Sequence, residues 1–171
     1  LCARFSRLYT GAVNDVMREM CLTDQALPHA IHPLRDEMKV CGPAFTIRSA
    51  ADPTLSGEME TRVKMLERLT PGCVVVWNAN GDDEASHWGE VMTAASKERG
   101  CAGAIVDGGI RDTAQILTQG YPIWCRYRTS NGSLSRCKIT DVQKPVQVGR
   151  AFIRPGDIVF ADIDGAIVMP R

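Results

Sequence analysis

Apolar positions recur along this chain with two different periods, and the change of period marks out its elements. Val13, Val16, Met17 and Met20 fall at i, i+3, i+4 and i+7, which predicts a helix over residues 11–21. Met59, Val63, Leu66 and Leu69 also recur at helical spacing and predict a second helix, broken by Pro71-Gly72. Trp88, Val91, Met92 and Ala95 predict a third that ends at Gly100, and residues 112–119 a short fourth closed by Gly120. Between the helices, Cys73-Val74-Val75-Val76-Trp77 and Ala102-Gly103-Ala104-Ile105-Val106 show no polar alternation. Such runs are strands covered on both faces. Ala44–Arg48 and Pro122–Tyr127 read as further strands, Gln25–Met38 as irregular because of Pro28 and Pro33, and 128–144 as a polar, turn-rich stretch. After Val146 the texture shortens. Phe152-Ile153, Ile158–Ala161 and Ala166–Met169 are brief strands separated by Arg154-Pro155-Gly156-Asp157 and Asp162-Ile163-Asp164-Gly165, both turn signals. The alternation of strand and helix implies parallel pairing. The chain therefore reads as one α/β domain over residues 1–171 with a β-rich C-terminal part.

Composition narrows the function classes. The 171 residues include 20 Lys+Arg and 20 Asp+Glu, so the net charge is zero. That argues against a nucleic-acid binder working through bulk positive charge. It leaves room for a small acidic metabolite held by one local arginine. No apolar run approaches the roughly 20 residues a membrane span needs. Seven cysteines, odd in number and widely spaced with no Cys-x-x-Cys, argue for a reducing, cytoplasmic setting. They also argue against a disulfide framework and a structural zinc site.

The candidate chemistry concentrates at Asp107-Gly108-Gly109-Ile110-Arg111-Asp112. The segment follows a predicted buried strand and precedes a predicted helix, and the carboxyl end of a strand is where α/β proteins bind ligands. The glycines read as a turn that lets a ligand approach the backbone. Arg111 offers a planar fork for a carboxylate, and Asp112 an oxygen donor for a hard divalent cation. From spacing alone Arg111 fits equally a surface ion pair, and Asp112 a helix N-cap or first-turn acid. Glu90 fits a first-turn acid too. If the third helix begins near Gly89, the N–H groups from Gly89 to Met92 are free to receive a carboxylate. His87 reads as a solvated loop histidine beside that turn, Asp82, Asp83 and Glu84 as a solvated acidic loop, and Trp77, Trp88 and Trp124 as core or interface aromatics.

The chain resembles the RraA-like family, which includes class II pyruvate aldolases acting on 4-hydroxy-4-methyl-2-oxoglutarate. The likeness rests on Trp88-Gly89-Glu90, Ala94-Ala95 with Arg99-Gly100, the run from Gly103 to Asp112, and Arg154–Val159 with Ala161–Gly165. Upstream, Asn14-Asp15 and Gly42–Thr46 fit the same pattern. The resemblance implies a swivelling β/β/α fold, a homotrimer or hexamer with sites at subunit interfaces, and a Mg²⁺ or Mn²⁺ ion held by Asp112. It implies a 2-oxo acid bound by Arg111 and the Gly89, Glu90, Val91 and Met92 turn. Arg111 and Glu90 are then the catalytic residues, Glu90 in the outer shell of the metal. Members usually carry a further C-terminal segment that can supply a glutamate near the metal, so the domain is expected to lack its terminal extensions here.

The activity implied is metal-dependent cleavage of a 4-hydroxy-2-oxo acid to pyruvate, with oxaloacetate decarboxylation as a side reaction. The alternative, from another class, is a non-catalytic regulator that binds a ribonuclease. In the family's namesake the aspartate after the arginine is typically lost, so Asp112 favours the enzyme.

Overall fold

The computed structural model describes residues 2–5, 7–54 and 56–171. In chain order the elements are α1 (Cys2–Phe5), α2 (Thr10–Glu19), β1 (His32–Pro33), β2 (Val40–Ala51), α3 (Glu58–Glu67), β3 (Val74–Asn78), β4 (Ser86–Trp88), α4 (Glu90–Glu98), β5 (Gly103–Ile110), α5 (Thr113–Gln119), β6 (Ile123–Arg128), β7 (Cys137–Val142), β8 (Val146–Val148), β9 (Ala151–Ile153), β10 (Ile158–Asp162) and β11 (Gly165–Met169).

The architecture follows from the two β-branched runs. Every residue of β3 and β5 is buried. They lie side by side in parallel, with β2 parallel outside β3 and β6 parallel outside β5. Strand parity then sends alternate side chains to two cores. Val75, Trp77, Ala104 and Val106 meet Met65 of α3, Met92 of α4 and Ile116 of α5 on one face. Val74, Val76 and Ile105 meet Val146, Val148, Ile153 and Val159 of the β-rich tail on the other. The sheet continues antiparallel from β2 through β10 to β11. Val13 and Met17 of α2 pack there against Phe160 and Ile167, while Val16 and Met20 face solvent. Among the described residues no helix is long and apolar enough to cross a membrane.

Three sequence expectations are corrected. Gly108 and Gly109 are not a turn but part of β5, which runs on to Ile110. Their missing side chains serve packing: a Cβ on Gly108 would lie 2.7 Å from Ala79 Cβ, and one on Gly109 2.7 Å from the Ala85 carbonyl oxygen. The stretch 128–144 holds β7, antiparallel to β2. Trp88 belongs to β4, which pairs with β5 at Ile110, and the helix behind it begins only at Glu90.

Candidate functional site

β5 and β4 end together, and their ends build the site. After Ile110 the chain turns through Arg111 and Asp112 into α5. After Trp88 it turns through Gly89 into α4. The Arg111 backbone N–H donates to the Trp88 carbonyl at 3.0 Å, which locks the two turns together.

Asp112 sits at φ 56°, ψ 36°, in the left-handed region. That conformation is costly for a residue with a Cβ and clusters at functional sites. Asp112 occupies the N-cap position of α5 yet makes no side-chain capping bond to it. Its carboxylate turns instead toward α4, where Oδ2 accepts the Glu90 backbone N–H at 3.2 Å. Oδ1 accepts no hydrogen bond among the described residues. Of the roles that spacing left open, capping of α5 is thus absent.

Arg111 Nε lies 3.6 Å from Asp112 Oδ2, with the two side chains 50% and 38% exposed. A pair that open to water contributes little to stability. Packing holds the arginine instead. A Cβ on Gly89 would lie 2.7 Å from Asp112 Oδ2 and 3.3 Å from Arg111 Cγ, and one on Gly132 2.9 Å from Arg111 Nη1. The side chain runs through a notch that exists because both positions are glycine. Beneath it starts the first turn of α4, whose Val91 and Met92 amides have no acceptor within the helix. Glu90 reaches Asp112 through its backbone. Its side chain is exposed and lines neither adjoining hollow.

Arg111 and Asp112 stand between two hollows. One, of about 450 Å³, is a shallow polar recess edged by Thr113, Arg128, Thr129 and Ser130. The other, of about 260 Å³, is deeper and runs under α3 and α4 to Leu134.

Sequence reading missed what holds that deeper cavity in shape. Arg62 of α3 donates to Glu58 Oε1 (2.7 Å), to Ser133 Oγ (2.7 Å) and to the His87 carbonyl (3.4 Å). Its guanidinium carbon sits 5.3 Å from the centre of the Trp77 ring. The Arg62 side chain is 11% exposed and that of Glu58 1%. The second Glu58 oxygen accepts the Ile139 N–H of β7 at 3.4 Å. One buried ion pair therefore ties α3 to β4, to the 133 loop and to β7.

The reading of His87 as a solvated loop residue is corrected, because it is 1% exposed on β4. Ser49 Oγ accepts the Trp77 Nε1–H at 3.1 Å and lies 3.1 Å from His87 Nδ1, so the hydroxyl proton points at Nδ1. Nε2 then carries the ring proton and donates to Asp82 Oδ2 at 2.8 Å. This is a neutral imidazole, and burial pushes its pKa down. Asp82 is correspondingly not a solvated loop acid. Its Oδ1 accepts the N–H groups of Glu84 and Ala85 at 3.0 and 3.3 Å and so folds the loop back.

Two places offer metal donors. Asp82, His87 and Cys137 lie close enough for a shared ion. Their arrangement is a relay, however: Asp82 addresses Nε2, whereas Cys137 Sγ lies 3.8 Å from Nδ1, and one ion cannot use both ring nitrogens. Asp112 presents a carboxylate oxygen outward at a polar, solvent-reached edge. One or two carboxylates with water and substrate oxygens are what Mg²⁺ takes. The chemistry of Asp112 fits such an ion.

With this geometry established, sequence comparison decides the relationship: the family model described as Aldolase/RraA matches residues 10–168. The chain belongs to the RraA-like family. A Halalkalibacterium halodurans protein named "Putative 4-hydroxy-4-methyl-2-oxoglutarate aldolase" is 34% identical over 168 residues, 98% of this chain and 75% of that protein. The Streptomyces coelicolor protein RraAS2, described as an unusual member of the RNase ES inhibitor RraA family, superposes with a TM-score of 0.89 at 31% identity, over 99% of this chain and 85% of that one. A crystal structure described as one of novel cellulases from microbes associated with the gut ecosystem superposes with a TM-score of 0.97 at 51% identity, over 99% of this chain and 77% of that one. The mixed α/β fold with its extended sheet and few helices is the RraA-like fold.

Proposed function

We propose that this protein is a carbon–carbon lyase that cleaves a 4-hydroxy-2-oxo acid and releases pyruvate. The observation that carries the reading is Asp112: a strained, outward-facing carboxylate beside a guanidinium with no acceptor on its Nη atoms among the described residues, above the open first turn of α4. The name of the H. halodurans relative supports the same activity.

The residues divide the work. The substrate carboxylate lies against the Val91 and Met92 amides, where the helix end favours negative charge and Gly89 permits close approach. Arg111 reaches the 2-oxo oxygen. As the C3–C4 bond breaks, its electron pair moves toward C2 and its oxygen. The C4 hydroxyl gives up its proton as the new carbonyl forms, and C3 later takes a proton to complete pyruvate. Charge on the 2-oxo oxygen is met by Arg111, already in place, so little reorganisation is needed. Asp112 is the residue that would hold a divalent cation, which when bound supplies Lewis-acid polarisation of that oxygen. The cavity under α3 and α4 takes the remainder of the substrate.

A second reading, a non-catalytic regulator, is favoured by the likeness to RraAS2. The retained Asp112 and the cavity beside it weigh against it. Glycoside hydrolysis needs two carboxyl groups facing each other across a sugar. Among the described residues, Asp112 is the single carboxylate lining the deeper cavity. The test is pyruvate release from oxaloacetate and from 4-hydroxy-2-oxo acids with Mg²⁺ or Mn²⁺. We expect activity that excess chelator abolishes and added metal restores. Undiminished turnover in chelator would remove the metal role, and no release from any substrate would favour the regulator.

A further inference from the structure

The deeper cavity has two unlike sides. Arg111, Asp112 and the α4 turn form one. The other is aliphatic: Met59, Val63 and Leu66 form a stripe at i, i+4 and i+7 along α3, and Val91, Met92 and Leu134 close it. Met59, Val63, Val91 and Leu134 are between 41% and 74% exposed, a hydrophobic rim around a cavity that already contains a polar centre. Apolar surface so placed gains from covering by an apolar group that the centre holds in position.

The cations of this cavity are accounted for. Arg111 belongs to the 2-oxo acid end. Arg62 lies within the aliphatic stripe but is held by Glu58, Ser133 and the His87 carbonyl, with Glu58 compensating its charge. A second carboxylate entering here would lose its water against methyl and methylene groups, with no uncommitted cation among the described lining residues to replace it.

We propose that the half of the substrate beyond C4 is uncharged and apolar, an aliphatic or aromatic group packed on the α3–Leu134 wall. The reaction then releases pyruvate and an apolar aldehyde rather than a second oxo acid. This rests on the lyase reading. In R–CH(OH)–CH₂–CO–COO⁻ the C3–C4 bond breaks, the C4 hydroxyl proton leaves as R–CHO forms, and C3 gains a proton, so no oxidant or co-reactant is needed. Each methylene buried on the wall adds about fourfold to kcat/KM until the cavity is full.

The competing location is the polar recess on the other side of Arg111, where Arg128 is exposed and makes no ion pair among the described residues. The experiment separates the two. Wild-type protein with Mn²⁺ is given 4-hydroxy-2-oxo acids whose tails lengthen from methyl to butyl, a dicarboxylic counterpart of matched length, and oxaloacetate, which has no distal half. We expect kcat/KM to climb by about fourfold per methylene and to exceed that of the dicarboxylic acid by about tenfold or more. Val63→Arg, on the exposed side of α3, should shift that ratio toward the dicarboxylic acid. If oxaloacetate is decarboxylated but kcat/KM is flat with tail length, the apolar-tail proposal fails and the lyase reading survives. Preference for the dicarboxylic acid that Arg128→Ala abolishes would also overturn it, by putting the distal half in the polar recess. Failure on every substrate, oxaloacetate included, would end both.

Discussion

Replacing Gly89 with alanine probes the site by adding one methyl group while leaving every charged side chain and backbone N–H of the site in the chain. The Gly89 backbone is extended, at φ −161° and ψ −166°, so alanine adopts it freely. The added methyl would lie 2.7 Å from Asp112 Oδ2 and 3.3 Å from Arg111 Cγ. An ordinary contact needs about 3.5–4.0 Å, so the carboxylate must retreat by roughly 1 Å. It then leaves the Glu90 N–H, and Arg111 is pushed out of its notch. Both displaced side chains are partly solvent-exposed and weakly paired, so the fold should lose under about 1 kcal/mol, a shift in Tm of a few degrees for a chain of this size. Catalysis should suffer far more. Misplacing charged groups aimed at a developing oxyanion costs about 2–4 kcal/mol, roughly 30- to 1000-fold in rate. Pyruvate release from oxaloacetate with Mn²⁺, coupled to NADH oxidation by lactate dehydrogenase, gives the rate, and circular dichroism melts give Tm. Wild-type turnover by a folded Gly89→Ala protein would refute the idea that this contact positions the reacting groups.

Asp112→Asn and Arg111→Lys should each remove most activity, about 30- to 1000-fold, but higher Mn²⁺ should partly rescue the aspartate variant alone. Equal rescue of both would count against their separate roles. Arg62→Ala leaves Glu58 as an uncompensated buried charge, which costs about 3–5 kcal/mol. Thermal melts should show a Tm lower by at least about 6 °C, and an unchanged Tm would contradict the pairing. His87 has a depressed pKa in the folded protein. As pH falls below about 6.5 the unfolded chain takes up a proton that the folded one refuses, so stability should decline from there down to the lowered folded value. Urea unfolding at pH 7.5 and 5.5 should show that loss in the wild type and a smaller one in His87→Gln. Identical losses would show that some other group governs it.

Parallel pairing was readable because Val74–Trp77 and Ala104–Val106 are unbroken apolar runs set between helical repeats. Arg111 and Asp112 were readable because their charges fall directly after such a strand. β7 was not, since its three apolar residues, Cys137, Ile139 and Val142, are interrupted by Lys138, Thr140 and Asp141 and the short strand lies within a polar stretch. Glu58–Arg62 illustrates a deeper limit. Glu60–Lys64, two residues on, has the same i,i+4 spacing and a 2.6 Å contact, yet its side chains are 71% and 69% exposed. Only the packing of β7 and the 133 loop over α3 makes one pair a buried tie and leaves the other in solvent. His87 was hidden likewise. It follows the polar loop from Asn78 to Glu84, and the partners that make it a core residue, Ser49 and Trp77, arrive from β2 and β3.

The Arg62 tie makes the aliphatic wall a rigid body. α3 is fastened to β4, to the 133 loop and, through Glu58, to β7 by bonds that form when the chain folds. Met59, Val63 and Leu66 ride on that helix, beside and just beyond the tie points. A ligand therefore meets a helix already fixed in place, and the ordering that binding requires is confined to the exposed side chains of the wall. Selectivity for the distal group becomes a mechanical property of the scaffold. Loosening Arg62 should blur discrimination between tails well before it unfolds the protein.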